Sequence, residues 1–542
     1  MVRLLFAISF LFGFGLLGAE SPVRRPNVIF IITDDQKRDD VGFLTGKALT
    51  PNLDRIAKQG VRFENSYTCS TVCTPSRYAC ITGRFPSRCT SPSFLGDITP
   101  ERVTKVYFNT HLEPDRPNLP KALQAAGYTT GLVGKWHLGL QGFRRGNVPA
   151  NADPKDPAIR AELEREQRDL CEELKVHGFD EVSRIYAGNP LDSVSLRNAG
   201  LAHHNMEWVT EGAVDFIDAH HDKPFFLYFS TTLPHAPDPV GGMREDPRST
   251  PVGFLDEPPA SGMPAREKIF RTVAEAGLAE KTAGNTWLDA GVGAILARLE
   301  KHGIADDTLI IYFNDHGMEH SSKSTLYQGA LRTPSAARWP RRIRPQVCGK
   351  LVSNVDITPT ILDACGVPPL PEMILDGRSY LPVLEDPAAV WREAIYAEIG
   401  FTRAVVTEER KYLAFRLPPS QVPDENEGMR QQFAMLEEIK RRHPWVDWKP
   451  DPDAKVPHVG GPPGGDFLVR LTLHASPPYK KNYFDPDQLY ELGADPLETT
   501  NLASDPAHAE RLAAMQGRLG EFLKELPGEF GEWNGLPVDP GH

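Results

Sequence analysis

Four short apolar runs recur along the chain, and each stops at a group of charged or imidazole side chains. Residues 27–32 (Asn-Val-Ile-Phe-Ile-Ile) end in Thr33-Asp34-Asp35, and residues 128–133 end in Gly134-Lys135-Trp136-His137. Residues 225–230 (Phe-Phe-Leu-Tyr-Phe-Ser) lead to Leu233-Pro234-His235-Ala236-Pro237, and residues 308–313 to Asn314-Asp315-His316-Gly317. Runs of this length and composition read as buried strands. Helical patterns lie between them, such as Leu288, Val292, Ile295, Leu296 and Leu299. Strand–helix alternation implies an α/β chain with a mainly parallel sheet flanked by helices. Such sheets gather ligands at the carboxyl ends of their strands. Asp34, Asp35, Lys135, His137, His235, Asp315 and His316 are therefore expected to converge. Taken singly, each reads equally well as part of a solvated turn. Adjacent carboxylates such as Asp34 and Asp35 repel each other unless a cation or N–H groups hold them.

A second feature is the stretch Cys73-Thr74-Pro75-Ser76-Arg77-Tyr78-Ala79-Cys80-Ile81-Thr82-Gly83-Arg84. Pro75 suits the first turn of a helix, where its missing N–H costs nothing. Cys73 then sits at the helix mouth, where unpaired N–H groups favour negative charge. Arg77, four residues on, lies on the same face one turn deeper. The local alternative is a buried cysteine in an ordinary helix. The full pattern, Cys-x-Pro-Ser-Arg followed by Thr-Gly-Arg, resembles the signature of the type I sulfatases, an arylsulfatase-like family. Further matching stretches are residues 26–35, 134–139, 233–237, 315–317 with Lys323, 353–366 and 489–502. The resemblance implies an alkaline-phosphatase-like fold with a smaller C-terminal domain. It also implies that Cys73 is oxidised by a formylglycine-generating maturation enzyme to Cα-formylglycine, whose hydrate is the nucleophile.

Carried over residue by residue, the resemblance implies a divalent cation, usually Ca2+ with Mg2+ as the alternative. Its ligands would be Asp34, Asp35, Asp315, His316 and the formylglycine made from Cys73. Three carboxylates suit a hard cation. Many family members carry Asn where this chain has His316, and imidazole is a poorer partner for calcium. Another metal, or a His316 that stands off the cation, stays open. Arg77, Lys135, His137, His235 and Lys323 match the remaining active-site positions. Some relatives use a serine soon after the Gly-Lys-x-His motif; near Tyr186-Ala187 no counterpart is found. The implied reaction is hydrolysis of a sulfate monoester through a covalent sulfate on residue 73. A phosphate or phosphonate monoester hydrolase on the same scaffold, and a binding protein whose Cys73 is never converted, are the alternatives.

The 542-residue length suggests more than one domain. Residues 1–19 read as a secretory signal peptide, with a basic start, a short apolar core and Gly18-Ala19 at its end. The expected division is a catalytic unit over residues 24–390 and a C-terminal unit over 391–542. In the latter, strands are expected at 394–398, 403–407, 411–415 and 487–491, forming a small antiparallel sheet. A last helix should present Leu512, Met515, Leu519, Phe522 and Leu523 to that sheet. Residues 142–200 read as surface elaboration.

The net charge of −12 argues against a nucleic-acid partner and requires any anionic substrate to be drawn by a local cationic pocket. Past the leader, no run approaches the ~20 apolar residues of a membrane span, so no stable anchor is expected. The expected location is exported, periplasmic or secreted. Of the seven cysteines, conversion of Cys73 leaves six, enough for three disulfides, although Cys80 and Cys365 also read as core. By analogy the substrate is a sulfated small molecule or oligosaccharide. Specificity is expected in the loops 142–200, 238–264 and 418–465. His203, His204, Arg144 and Arg145 are candidate sugar contacts, with a solvated role as the simpler reading.

Overall fold

The computed structural model describes residues 25–139, 146–386, 388–416, 418–421, 482 and 485–530. The expected leader, Arg144, Arg145 and most of the 418–465 loop lie outside the described residues.

The main sheet has eight strands. In chain order they are β1 (Asn27–Thr33), β2 (Val61–Phe63), β3 (Thr129–Lys135), β4 (Glu181–Tyr186), β5 (Phe225–Ser230), β6 (Thr308–Asn314), β7 (Ser335–Arg338) and β8 (Gln346–Cys348). Their spatial order is β8-β2-β7-β6-β1-β5-β3-β4. The four apolar runs are thus the adjacent central strands β6, β1, β5 and β3, all parallel. β7 runs antiparallel to both β6 and β2.

Alternate side chains of β1 enter two layers. Val28, Phe30 and Ile32 pack with Tyr78, Ile81 and Ile361, while Ile29 and Ile31 pack with Trp208, Trp287 and Ile295. Because both faces are covered, the strand reads as a continuous apolar run. The register pairs Thr33 with Asn314, Ile32 with Ser230, and Gly134 with Ser230. The strand ends are therefore level, and the residues just past them emerge along one rim.

Residues 142–200 are more than elaboration. Within them the helix Pro157–Leu174 leads to β4, which extends the sheet at its edge. Only the last two residues of β4 are buried, so its sequence lacks the apolar signature of a central strand.

The second sheet is antiparallel, in the order β9 (Ala394–Ile399), β10 (Thr402–Thr407), β11 (Arg410–Phe415) and β12 (Asp487–Glu491). One face carries Tyr396, Val405, Tyr412 and Leu489 against Met515 and Leu519 of the helix Ala509–Lys524, with Leu512, Phe522 and Leu523 beside them. The other face carries Ile395, Ala404, Val406 and Leu413 against Tyr67, Val72 and Tyr327. All seven cysteines are free thiols, so the three-disulfide arrangement is not adopted; Cys80 and Cys365 lie in the core. No described helix is long and apolar enough to cross a membrane.

Candidate active site

Cys73 opens the helix α1 (Cys73–Thr82), every residue of which is buried. The helix stops at Gly83, whose φ of +71 closes a left-handed cap with its N–H on the carbonyl of Ala79. Past the cap, Arg84 pairs with Glu113 at 2.8 Å, anchoring the end of the Thr-Gly-Arg element.

The first turn of α1 faces the rim of the sheet. Cys73 Sγ lies 3.2 Å from Asp34 Oδ1, 3.5 Å from His316 Nε2 and 3.9 Å from Lys323 Nζ. Arg77 Nε donates to Asp315 Oδ2 at 3.1 Å, and its Nη1 donates to Ser230 Oγ at 2.6 Å. Lys135 pairs with Asp34, and Lys323 Nζ donates to Asp35 Oδ1 at 2.6 Å. His235 Nε2 stands 3.4 Å from Asp35 Oδ2. Nine of the ten expected residues thus form one contiguous cluster. His137 is the tenth. It is half-buried, its ring lies 5.7 Å from that of Phe108, and its Nδ1 has no hydrogen-bond partner among the described residues.

Asp35 (φ 61) and His137 (φ 56) hold left-handed backbone conformations just past β1 and β3. Non-glycine residues adopt that region at a cost, and they cluster at functional sites.

The charges are mutually dependent. Burial alone would raise the pKa of Asp34, yet Lys135, His235, Arg77 and Lys323 hold it well below the usual carboxylate range. Burial, then the Asp34 charge, pushes the Cys73 thiol well above its ordinary value. A thiol in that state is protonated at neutral pH and is a poor nucleophile. Burial, reinforced by Lys135, pushes His137 well below the usual histidine value, so its ring is neutral and able to accept a proton.

The donor set fits a divalent cation. One ligand atom each from Asp34, Asp35, Cys73 and His316 lies within 4.8 Å of the others. His316 Nδ1 faces the carbonyl of Gly317 at 3.1 Å, which places the ring proton there. The lone pair on Nε2 then faces Asp35 Oδ1 at 3.2 Å, an acceptor against an acceptor. A cation between them removes that conflict. Asp315, expected among the ligands, stands outside this group of four. Its Oδ2 is taken by Arg77, and its Oδ1 accepts the N–H of Asp35 at 3.3 Å.

Two further residues complete the site. Asn189, just past β4, accepts from Lys135 Nζ at 2.6 Å and lies 3.4 Å from His235 Nε2. It occupies the region where a counterpart to the relatives' serine was sought. Recognising residues 181–186 as a fifth strand would have found it. His204, weighed as a sugar contact or a solvated residue, is neither. It is buried, with Nδ1 2.6 Å from Thr232 Oγ1 and Nε2 2.8 Å and 2.9 Å from the carbonyls of His235 and Pro237. It clamps the loop that presents His235. His203 is half-buried, with its ring 3.4 Å from the carbonyl of Ser249.

Residues 26–367 match the family model described as Sulfatase. The chain belongs to the sulfatase family. It is a sulfuric ester hydrolase of that family by relatives as well. It is 30% identical over 404 residues to N-acetylgalactosamine-6-sulfatase of Mus musculus, covering 68% of each chain. It is 29% identical over 526 residues to arylsulfatase A of Homo sapiens, covering 90% of this sulfatase and 85% of that one. Solved structures agree in fold at lower identity. One, in complex with its substrate D-glucosamine-2-N,6-O-disulfate, has a TM-score of 0.57 at 19% identity over 93% of this chain and 98% of the other. Another, the phosphonate monoester hydrolase of Silicibacter pomeroyi, has a TM-score of 0.55 at 19% identity over 93% and 96%.

Proposed function

We propose that this sulfatase hydrolyses sulfate monoesters on a carbohydrate, with residue 73 acting as a formylglycine hydrate after a maturation enzyme has oxidised Cys73. The observation that carries the reading is the placement of Cys73 Sγ between the Asp34 carboxylate, the His316 ring and the Lys323 ammonium. Sγ marks where the hydrate oxygens would stand. The carbohydrate class is supported by the relative named for N-acetylgalactosamine 6-sulfate and by the fold neighbour solved with a sulfated glucosamine.

Asp34, Asp35, His316 and residue 73 would hold a calcium or magnesium ion, with Asp315 at their flank. When bound, that ion neutralises sulfuryl oxygens and polarises sulfur. Lys135, Lys323 and Asn189 are aimed to bind the remaining oxygens, where fixed donors act on charge that shifts in the transition state. Asp315 would help activate one hydroxyl of the hydrate, which attacks sulfur as the ester S–O bond breaks. His235 or Lys323 would protonate the departing alcohol. His137, neutral and with a free ring nitrogen, would take the proton of the second hydroxyl. The aldehyde C=O re-forms, sulfate leaves, and water restores the hydrate. Arg77 would hold Asp315 and the hydrate in place.

We assign residues 24–390 to the catalytic unit and 391–542 to the C-terminal unit, in an exported enzyme. The test is hydrolysis by the matured enzyme across sulfated oligosaccharides, alongside the sulfate and phosphate esters of one phenol. Desulfation of a saccharide, with the sulfate ester preferred, is expected. A preference for the phosphate ester would favour the alternative reaction, and no hydrolysis of either would favour a binding protein.

A further inference from the structure

The segment that carries Lys323, residues 322–327, contains no strand or helix that could fix it. At its start, Ser324 N–H donates to the carbonyl of Thr71, close to Cys73 in sequence, at 3.2 Å. Further anchors come from the antiparallel sheet and from the turn that follows its last strand. Lys411 on β11 is fully buried, and its Nζ donates to the carbonyl of Leu326 at 2.8 Å. The same ammonium pairs with the buried carboxylate of Glu498. Glu498 in turn accepts the N–H of Gln328 at 2.7 Å. Tyr327 Oη donates to Gln488 Oε1 on β12 at 3.0 Å.

The chemistry of this arrangement is specific. A buried ion pair is weak evidence for stability, because apolar residues of similar volume often serve as well. What the pair supplies is direction: each partner also grips the main chain of one segment, at Leu326 and at Gln328. Glu498 holds a left-handed φ of 56 to do so, a conformation that its surroundings must impose. Three residues before Leu326, Lys323 Nζ sits 2.6 Å from Asp35 Oδ1.

We infer that the Lys411–Glu498 pair is a positioning pair for Lys323, through which the C-terminal sheet sets that ammonium against the reacting group. The inference rests on the assignment of Lys323 to the sulfuryl oxygens or the leaving alcohol made above. It gives the C-terminal sheet a part in turnover as well as in folding.

The test is a double-mutant cycle in the matured enzyme, comparing the parent, Lys323→Ala, the paired variant Lys411→Met with Glu498→Gln, and their combination. The pair removes both charges together, so neither is left buried alone. Lys323→Ala is expected to lower kcat by about 100-fold, in the range for loss of one fixed donor. The paired variant is expected to lower kcat by about 10-fold, and in the Lys323→Ala background by less than about twofold, since residues acting through one group are not additive. Losses that multiply, or a paired variant with the parent's kcat, would overturn the inference while leaving the assignment of Lys323 intact. A Lys323→Ala enzyme with the parent's kcat would instead overturn that assignment, and the inference with it. If the paired variant does not fold, Glu498→Gln alone, which keeps an acceptor for Gln328 N–H, enters the same cycle under the same rule.

Discussion

A thiol at position 73 cannot do what the proposed hydrate does. Burial keeps it protonated, and a single S–H leaves no second hydroxyl from which the bound sulfate can be expelled. Serine has the same deficit. Cys73→Ser is therefore expected to lose at least about 1,000-fold in steady-state turnover, the scale of removing a covalent catalyst. It should also accumulate a sulfated residue-73 peptide, visible by mass spectrometry after exposure to substrate. Full turnover by that variant would contradict the scheme. His316 yields a second expectation at this scale. Its Nε2 lone pair faces Asp35 and Cys73, and imidazole favours metals other than calcium. Removing divalent ions with a chelator should abolish activity, and calcium or magnesium should restore it. Asn at position 316 should tighten calcium binding relative to the parent, as measured by calorimetric titration of the metal-free protein; unchanged calcium affinity would place His316 off the ion. The sequence motifs located Cys73, Asp34, Asp35 and Lys323 because each sits in a short fixed pattern. Asn189 has no such pattern, and only the position of β4 brings it to Lys135.

Among the elements, the end of α1 and the loop carrying His235 are both closely constrained in geometry. At Gly83 a Cβ would meet Leu375 Cδ2 at 2.7 Å and Thr358 at 3.3 Å, in a backbone conformation with φ of +71. Gly83→Ala is expected to cost about 1–3 kcal/mol, from the left-handed strain and the crowding together. Denaturant unfolding would measure it. The loop after β5 depends on His204, whose pKa burial lowers to about 4. A histidine depressed in the fold binds fewer protons there than in the unfolded chain. Its contribution is therefore neutral above about pH 6.5, and stability is lost as the pH falls from there toward 4. The full loss is about 3 kcal/mol. Unfolding midpoints at pH 7 and pH 4.5 should differ less in His204→Gln than in the parent, and an equal difference would remove His204 from the account. The sequence does not show this role, because a histidine before a helix reads as surface until the loop from Thr232 to Pro237 is seen folded over it.

For the whole molecule, the alternation of strand and helix made the catalytic layer legible, because the central strands are buried on both faces and so carry apolar runs. The short strands β2, β7 and β8 were not legible. Three or four residues carry too little periodicity, and β7 reverses direction between its neighbours. The antiparallel sheet was legible as strands and a helix, but its second packed face was not, since its partners Tyr67, Val72 and Tyr327 lie far away in sequence. The contacts on both faces bear on how divisible the enzyme is. Cys69, Ala79 and Phe85, around α1, share a core with Tyr396, Val405 and Met515. Glu398 on β9 accepts the N–H of Ser87 at 2.7 Å and donates its own N–H to the carbonyl of Cys69. A chain ending at residue 390 would expose those apolar side chains next to Cys73 and leave the Lys323 segment without Lys411 and Glu498. Burial of large apolar side chains contributes about 1.5–3 kcal/mol each, and a domain's net stability is only about 5–15 kcal/mol. The truncated chain is therefore expected to lose cooperative unfolding and to bind a hydrophobic dye, as measured by thermal scanning and dye fluorescence. A truncated chain that unfolds cooperatively at the full-length midpoint would show that the two sheets are independent units.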